Sequence, residues 1–589
     1  MEVAPDNQVT VQGLHECKDP SKLLTPGKGL HVFLVSVTGV GEPPDNGRVF
    51  YDWIMNQPSN HSKLEYVVFG LGNKKGHPNH YNVIGKNLDK RLEELGGSRV
   101  MELGLGDDGD CIEDDFDGWM ENFLKLVQGK TESQEASQPE KQEPVQVVQA
   151  VQPEKEGDQP TLSCPGIATS KSGQRMISKK HPTLRLRPRV TDVVRDDLFF
   201  LQGSQHQFYQ DGTGLLNIVN NKLLTANAGE TGLHELRVSL RDHHNHKDLK
   251  YETGDHLMVY PRNSQCIVES YLDVLDVDRH AIIEKQDHPY PFPPGLTIYE
   301  TFSHCIDLGA VPSPSFARMI LGRKDLEYKN EIAMPRRTVI DLLRESGKRL
   351  SLEDVLYNMT PMRPRYYSIA SSSLSHPKEI YLAFRPVKYM TSRGILREGV
   401  CTSYMSHKGV VQGDQVAHVA ALINPNPTFR LPKDATIPIL MVAGGCGVAP
   451  IRAFLEERLA MNAPKYGPGR LYLGFRNPSD EVYRKIVRET IDKGVMTEAK
   501  VSYSFGCTEP DQLCMLVTEL VRKESKSVWA HFESGGYTYL CGGARTFGAA
   551  IEQEMLEIIQ EEGKMNFDEA SKYLKNLVDT GRLCEDLAD

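Results

Sequence analysis

Apolar residues fall into short, unbroken runs separated by glycine-rich turns and amphipathic stretches. His31-Val-Phe-Leu-Val-Ser-Val37 is such a run, and it predicts a parallel strand covered on both faces. Thr38-Gly-Val-Gly-Glu-Pro-Pro-Asp-Asn46 follows as a loop, then a helical pattern from Gly47 to Ile54. The unit recurs. A strand Glu65-Tyr-Val-Val-Phe69 runs into Gly70-Leu-Gly-Asn-Lys74, with a helix from Val83 to Leu95. A strand Val100-Met-Glu-Leu103 leads to Gly104-Leu-Gly-Asp-Asp-Gly109 and an acidic helix to about Val127. This alternation predicts a doubly wound α/β domain whose ligand loops lie at the carboxyl ends of its strands. Residues 1–30 are polar, with one short strand at Gln8-Val-Thr-Val-Gln12.

From Lys130 to about His181 the chain is rich in Gln, Glu, Pro, Ser and Lys. Such a stretch buries too little apolar surface to fold, so it reads as a linker that lets the first domain swing. Residues 217–254 have β character, and Leu249 to Tyr260 reads as one long strand. Apolar helices broken by prolines fill 264–360, and strands resume at Arg363. Ile437–Val442, Leu471–Arg476 and Tyr537–Arg545 are apolar runs ending in loops, the pattern of a second α/β domain. The expected division is an α/β domain over 1–129, a linker over 130–181, a β-barrel with a helical insert (about 264–360) over 182–434, and a C-terminal α/β domain over 435–589.

A net charge of −11 on 589 residues excludes a nucleic-acid footprint. No run approaches the roughly 20 apolar residues that span a bilayer. The first residues lack the basic-then-apolar order of a signal peptide, so a soluble chain without a membrane anchor is expected. Eleven cysteines without C-x-x-C spacing predict reduced thiols, a cytoplasmic setting and no metal site.

Candidate chemistry concentrates in Arg363-Pro-Arg-Tyr-Tyr-Ser-Ile-Ala-Ser-Ser-Ser373. A strand that presents a guanidinium, a flat ring and a hydroxyl in succession suits a planar, phosphorylated ligand. Arg365 can fork onto phosphate, Tyr367 can lie on a ring face, and Ser368 can hydrogen-bond a ring nitrogen. Gly399-Val-Cys-Thr402 opens a helix whose first N–H groups suit a pyrophosphate. Ala443-Gly-Gly-Cys-Gly-Val-Ala-Pro450 is a glycine-rich strand-to-helix turn of the kind that admits a second pyrophosphate.

These strings resemble the NADPH–cytochrome P450 reductase family, in which a flavodoxin domain is joined to a ferredoxin–NADP reductase-like module. The resemblance implies an oxidoreductase passing electrons from NAD(P)H to FAD and on, through FMN if it binds and otherwise directly, to a one-electron acceptor such as a haem protein, a quinone or a dye. It implies an FAD site of Arg365, Tyr366, Tyr367, Ser368, Ala383, Phe384, Arg385, Tyr389, Gly399, Val400, Cys401 and Thr402. It implies a nicotinamide-nucleotide site of Gly445, Cys446, Gly447, Arg476, Ser504 and Cys541. Ser368, Cys541 and Asp586 would be the catalytic set. An FMN site would comprise Thr38, Gly39, Gly41, Leu71, Gly72, Asn73, Tyr81, Asn82 and Asp108.

Departures from the family pattern change the expectation. No strand feeding a Ser/Thr-rich phosphate loop precedes residue 31, which predicts a gap in a 2-1-3-4-5 sheet. Thr38 stands where the family has a ring-stacking Tyr, and the second stacking Tyr is lost in Lys75–Asn79. His77 and His80 are candidate substitutes. Together these count against FMN binding. Cys446 replaces a threonine, Phe505 replaces an arginine that grips the 2′-phosphate, and Ala588 replaces an aromatic that covers the flavin. A weak preference for NADPH over NADH follows. The alternatives are a single-flavin NAD(P)H dehydrogenase with a vestigial first domain, and a non-enzymatic interaction protein derived from a reductase.

Overall fold

The structure, a computed structural model, describes residues 13–14, 29–37, 41–57, 64–74, 80–127, 184–187, 213–225, 232–241, 249–286, 292, 295–407, 411–412, 415–510 and 512–588. The expected strand Gln8–Gln12 and the linker 130–181 lie outside these residues, as do Thr38, Gly39 and His77.

The first apolar run forms the strand Leu30–Ser36, in parallel register with Glu65–Gly72 from Leu30↔Glu65 to Ser36↔Leu71. Glu65–Gly72 pairs on its other side with Ser98–Arg99 and Gly104–Asp107. The expected gap is corrected: the strands are direct neighbours, and Leu30–Ser36 is an outer strand among the described residues. In the order 2-1-3-4-5 the last three strands are contiguous, so their pairing does not need the first two. Val32 and Leu34 on this strand are exposed.

A second correction concerns Val100–Leu103, which is irregular, whereas the glycine-rich Gly104–Asp107 is the strand. The reason is steric. A Cβ on Gly104 would come 2.5 Å from Trp119 and collide with Phe69, and one on Gly106 would come 2.7 Å from Ile112. Absent side chains let this strand lie under the aromatic cluster of Phe69, Phe116 and Trp119.

The middle of the chain forms a six-stranded antiparallel sheet. Its order is Arg365–Ser368, His256–Tyr260, His418–Asn424, Gly214–Leu223, His234–Ser239 and Glu379–Phe384. A bridge between Ile369 and Leu382 joins the first strand to the last and closes a barrel around Leu216, Leu236, Leu257, Ile380 and Val419. The long strand expected from Leu249 is shorter, because Glu252 to Asp255 make a tight turn. Asp255 N donates to Glu252 O at 3.0 Å, and Gly254 has a φ of +98°. The insert is helical as expected, with the helices Gln265–Leu275, Ile298–His304, Pro314–Leu321, Val339–Ser346 and Leu352–Asn358. Thr297 with Glu300, and Thr338 with Asp341, form reciprocal N-terminal caps, each occupying two otherwise orphaned N–H groups.

The C-terminal sheet is parallel, in the order Leu513–Cys514, Glu498–Tyr503, Gly469–Phe475, Ile439–Gly444, Tyr537–Gly543 and Leu583–Ala588. The chain enters at Ile439–Gly444, builds outward on one side, then returns to build on the other. That reversal makes a crevice at the carboxyl end of the entering strand.

Candidate functional site

Three separate strand ends converge where the barrel meets this crevice. Ser368 ends its strand opposite His256. His256 donates from Nε2 to Asp586 Oδ1 at 3.0 Å, and Asp586 lies in register with Cys541 on the neighbouring parallel strand. Ser368, Cys541 and Asp586 are thus brought together, with His256 as the link that sequence reading missed. A signal was present: His256 is the polar head of the apolar strand His256–Tyr260.

The electrostatics of this set are specific. The Cys541 thiol is fully buried, and burial, reinforced by the Asp586 charge, holds it well above the usual thiol range. It is therefore a neutral thiol at ordinary pH. Asp586 Oδ2 is buried and has no hydrogen-bond partner among the described residues. A buried, unpaired acceptor is costly unless a donor completes it, so this atom is an opening for a ligand N–H.

Arg365 donates from Nη2 to Asp307 Oδ2 at 2.7 Å, which aims the guanidinium while leaving it partly exposed. Tyr366 is 53% exposed. Tyr367 is more enclosed, edge-on to Phe384 at 6.4 Å, and its hydroxyl meets the Cys401 thiol. Burial pushes the Tyr367 hydroxyl up and pushes Cys401 up to about 12. Gly399 caps the helix Val400–Ser406. The Thr402 hydroxyl donates to Gly399 O at 3.3 Å within that turn and accepts from Val387 N at 3.0 Å.

Tyr389 pairs with Arg397 across a short hairpin, and the Arg336 guanidinium lies 4.8 Å over its ring. Sequence reading did not single out Arg336. Ala383 and Phe384 do not offer side chains to an open surface. Strand alternation packs Ala383 beside Ala449 and sends Phe384 into the barrel core. Arg385 turns toward the C-terminal domain, with Nη2 3.4 Å from Asp480.

In the glycine turn, Gly445 has a φ of +58° with open space around it, and Cys446 is exposed. A Cβ on Gly447 would collide with the Cys541 carbonyl and come 2.7 Å from Gly542 N. Glycine there brings the N-terminus of the helix Val448–Met461 against the Cys541 strand end. At the far end of the crevice, Ser504 N donates to Phe475 O at 3.0 Å and Phe505 N to Arg476 O at 2.8 Å. Arg476 is exposed, and Phe505, 65% exposed, adds no charge beside it.

The first domain's loops are held together by their own side chains. Asn73 Nδ2 donates to Asp108 Oδ2 at 3.4 Å, and Tyr81 donates to Leu105 O at 3.3 Å. Asn82 is buried and left-handed, and it donates to Gly106 O at 3.0 Å; a Cβ on Gly72 would come 2.8 Å from its nitrogen. Leu71 packs beside Phe69 and Trp119. A Cβ on Gly41 would come 2.8 Å from His80 Nδ1, so the His80 ring occupies that space. The described residues of this domain contain no Ser/Thr-rich loop feeding a helix N-terminus. They fit the ring-side loops of an FMN site but supply no phosphate cradle.

Comparison with known proteins gives three family matches in chain order: flavodoxin over 4–119, FAD-binding domain over 322–404 and oxidoreductase NAD-binding domain over 441–553. The NADPH–cytochrome P450 reductase of Musca domestica is 29% identical, over 93% of this chain and 79% of its own length. Those of Sus scrofa and Homo sapiens are each 27% identical, over 97% of this chain and 83% of their own lengths. The chain is thus similar to NADPH–cytochrome P450 reductases along nearly its whole length and carries flavodoxin, FAD-binding and NAD-binding domains in that order. It is therefore a flavoprotein oxidoreductase with the three-domain order of the diflavin enzymes. The flavodoxin match begins upstream of the strand Leu30–Ser36, from which the sequence resemblance was read. Among the described residues no helix is long and apolar enough to cross a membrane.

Proposed function

We propose that this chain moves electrons from NADPH through FAD to a one-electron acceptor, with a haem protein the acceptor class that the relatives' names suggest. The observation that carries the reading is the convergence of Ser368, His256, Asp586 and Cys541 at the mouth of the crevice, with Asp586 Oδ2 unpartnered. Bound FAD supplies the conversion of a two-electron donor into one-electron delivery. The residues present fit it. Arg365 and the turn at Gly399–Thr402 hold the pyrophosphate, Tyr367 offers a ring pinned by Phe384, and Tyr389 under Arg336 takes the adenine end.

The crevice is the nucleotide site in this reading. Gly445 and Gly447 let backbone N–H groups approach its pyrophosphate, and Arg476 with Ser504 faces the 2′-phosphate. Cys541 would line the nicotinamide pocket as a neutral thiol, adding no second charge beside Asp586. Asp586 receives a ligand N–H on Oδ2 while His256 holds Oδ1, which orients the carboxylate. No step is assigned to FMN, because the described residues supply no phosphate cradle. The chain is assigned to the cytoplasm.

The departures from the family pattern at Thr38 and Lys75–Asn79 favour a second reading, a single-flavin dehydrogenase with a vestigial first domain. Flavin extraction from the purified full chain separates the two. We expect one FAD per chain and substoichiometric FMN; equal FMN and FAD would discard the second reading. Asp586→Asn should lower kcat/KM for NADPH with a dye acceptor by roughly 10²-fold while FAD is retained. Unchanged kinetics in that variant would remove Asp586 from the reaction, and a colourless, flavin-free chain would support an interaction protein instead.

A further inference from the structure

We propose that Cys507 and Cys514 form a reversible disulfide, a thiol switch on the wall of the nucleotide site. The claim that it regulates nucleotide use rests on the reading of that site above. The two thiols come from opposite ends of one surface loop. Cys514 ends the outer strand of the parallel sheet, in register with Tyr503. Cys507 folds back over the same residue, with its Sγ 3.9 Å from the Tyr503 carbonyl oxygen. Both sulfurs are therefore gathered at Tyr503, and the Cys514 thiol lies within hydrogen-bonding reach of Cys507. Both are free; Cys514 is exposed and Cys507 half-buried.

The position gives the pair its consequence. Ser504 and Phe505 lie just upstream of Cys507, separated from it by Gly506, and Phe505 N donates to the Arg476 carbonyl at 2.8 Å. Gly506 packs on Asn477, where a Cβ would come 3.4 Å from the Asn477 side chain. Drawing the Cys507 sulfur onto Cys514 pulls this segment toward the sheet edge and off Arg476. The 2′-phosphate end of the crevice is then reshaped without touching Ser368, Cys541 or Asp586.

The chemistry is thiol–disulfide exchange with a low-molecular-weight disulfide such as oxidised glutathione. Cys514 is exposed and Cys507 half-buried, so Cys514 is the sulfur that a dissolved disulfide reaches first. The Cys514 thiolate attacks one glutathione sulfur; the glutathione S–S bond breaks, a mixed disulfide forms, and one glutathione thiolate leaves. The Cys507 thiolate then attacks the Cys514 sulfur and expels the second. Two protein thiols lose two electrons and two protons, and one glutathione disulfide becomes two glutathione thiols.

The test uses the full chain with its FAD, equilibrated in glutathione buffers of graded redox ratio and then alkylated and mapped by mass spectrometry. The expected result is a peptide cross-linked between Cys507 and Cys514, reversed by reduced glutathione and absent from Cys507→Ser and Cys514→Ser. In the oxidised protein KM for NADPH should rise at least threefold at constant kcat, and the serine variants should be insensitive to the buffer. Glutathione adducts on the two cysteines separately, with no cross-link, would overturn the proposal. A complete cross-link with unchanged KM would overturn the switch while leaving the nucleotide-site assignment intact. A reduced protein that fails to oxidise NADPH would instead indict the proposed function.

Discussion

In the proposed nucleotide site, Phe505 bears on the choice between NADPH and NADH. The 2′-phosphate of NADPH is close to dianionic and needs cations to offset its desolvation. Beside Ser504 stand Arg476 and the uncharged, exposed Phe505. One charge-assisted contact contributes roughly 1–3 kcal/mol, or about one to two decades of discrimination. We expect the kcat/KM ratio of NADPH to NADH to stay below about 10² in this chain, and to rise about tenfold or more in Phe505→Arg. A ratio above about 10⁴ in the unmodified chain would require a cationic cluster elsewhere. His531 gives a residue-scale expectation for stability. Burial, with the Arg470 charge adding, lowers its pKa from 6.5 to about 4, and Nε2 lies 3.2 Å from the Tyr537 carbonyl. The unfolded chain therefore binds a proton that the folded chain refuses between about pH 6.5 and pH 4. Stability falls as pH falls through that window, by roughly 3 kcal/mol in full. Urea midpoints at pH 7.5 and pH 5 should differ less in His531→Gln than in the parent; an equal difference would place the acid sensitivity elsewhere.

Elements are placed by what their glycines leave room for. The strand Gly104–Asp107 exists because Phe69 and Trp119 occupy the space a Cβ would take. Gly104→Ala should cost about 1–3 kcal/mol through overpacking. In a calorimetric scan this should lower the transition of the flavodoxin-like domain by roughly 4 °C or more. The FAD-containing module should melt as before; a shift in both transitions would show that the domains unfold as one unit.

The whole molecule holds its first domain against the rest largely through charge. Asp117 pairs with Arg318 at 2.9 Å, Asp110 with Lys329, and Glu42 with Lys575. His80 lies 3.7 Å from Glu552. Exposed ion pairs contribute about 0–1 kcal/mol each and are screened beyond about 3 Å in 1 M salt. Docking of this kind is readily reversible. Small-angle scattering should show a larger radius of gyration in 1 M salt than at low ionic strength. Arg318→Glu should give the expanded form at low salt; a radius indifferent to both would mean that apolar contacts, such as Cys111 in the insert's core, hold the interface.

Local order was largely legible from residue patterns. Unbroken apolar runs marked the parallel strands, proline breaks marked the helical insert, and a cation, ring and hydroxyl in one strand marked a candidate ligand site, because each depends on neighbours within a few positions. What required tertiary structure depends on residues far apart in the chain. His256 becomes part of the site because a strand begun 330 positions before Asp586 ends beside it. Gly104 and Gly106 read as a loop in isolation, since nothing nearby in sequence reveals that Phe69 and Trp119 fill the space above them. The described N-terminal sheet is continuous because Glu65–Gly72 pairs with each of the other three strands, a fact of topology rather than of composition. Cys507 and Cys514 look like scattered thiols until sheet register and a reversing loop bring both to Tyr503. Pairing across a sheet and packing through a core set these distances, and neither leaves a periodic trace along the chain.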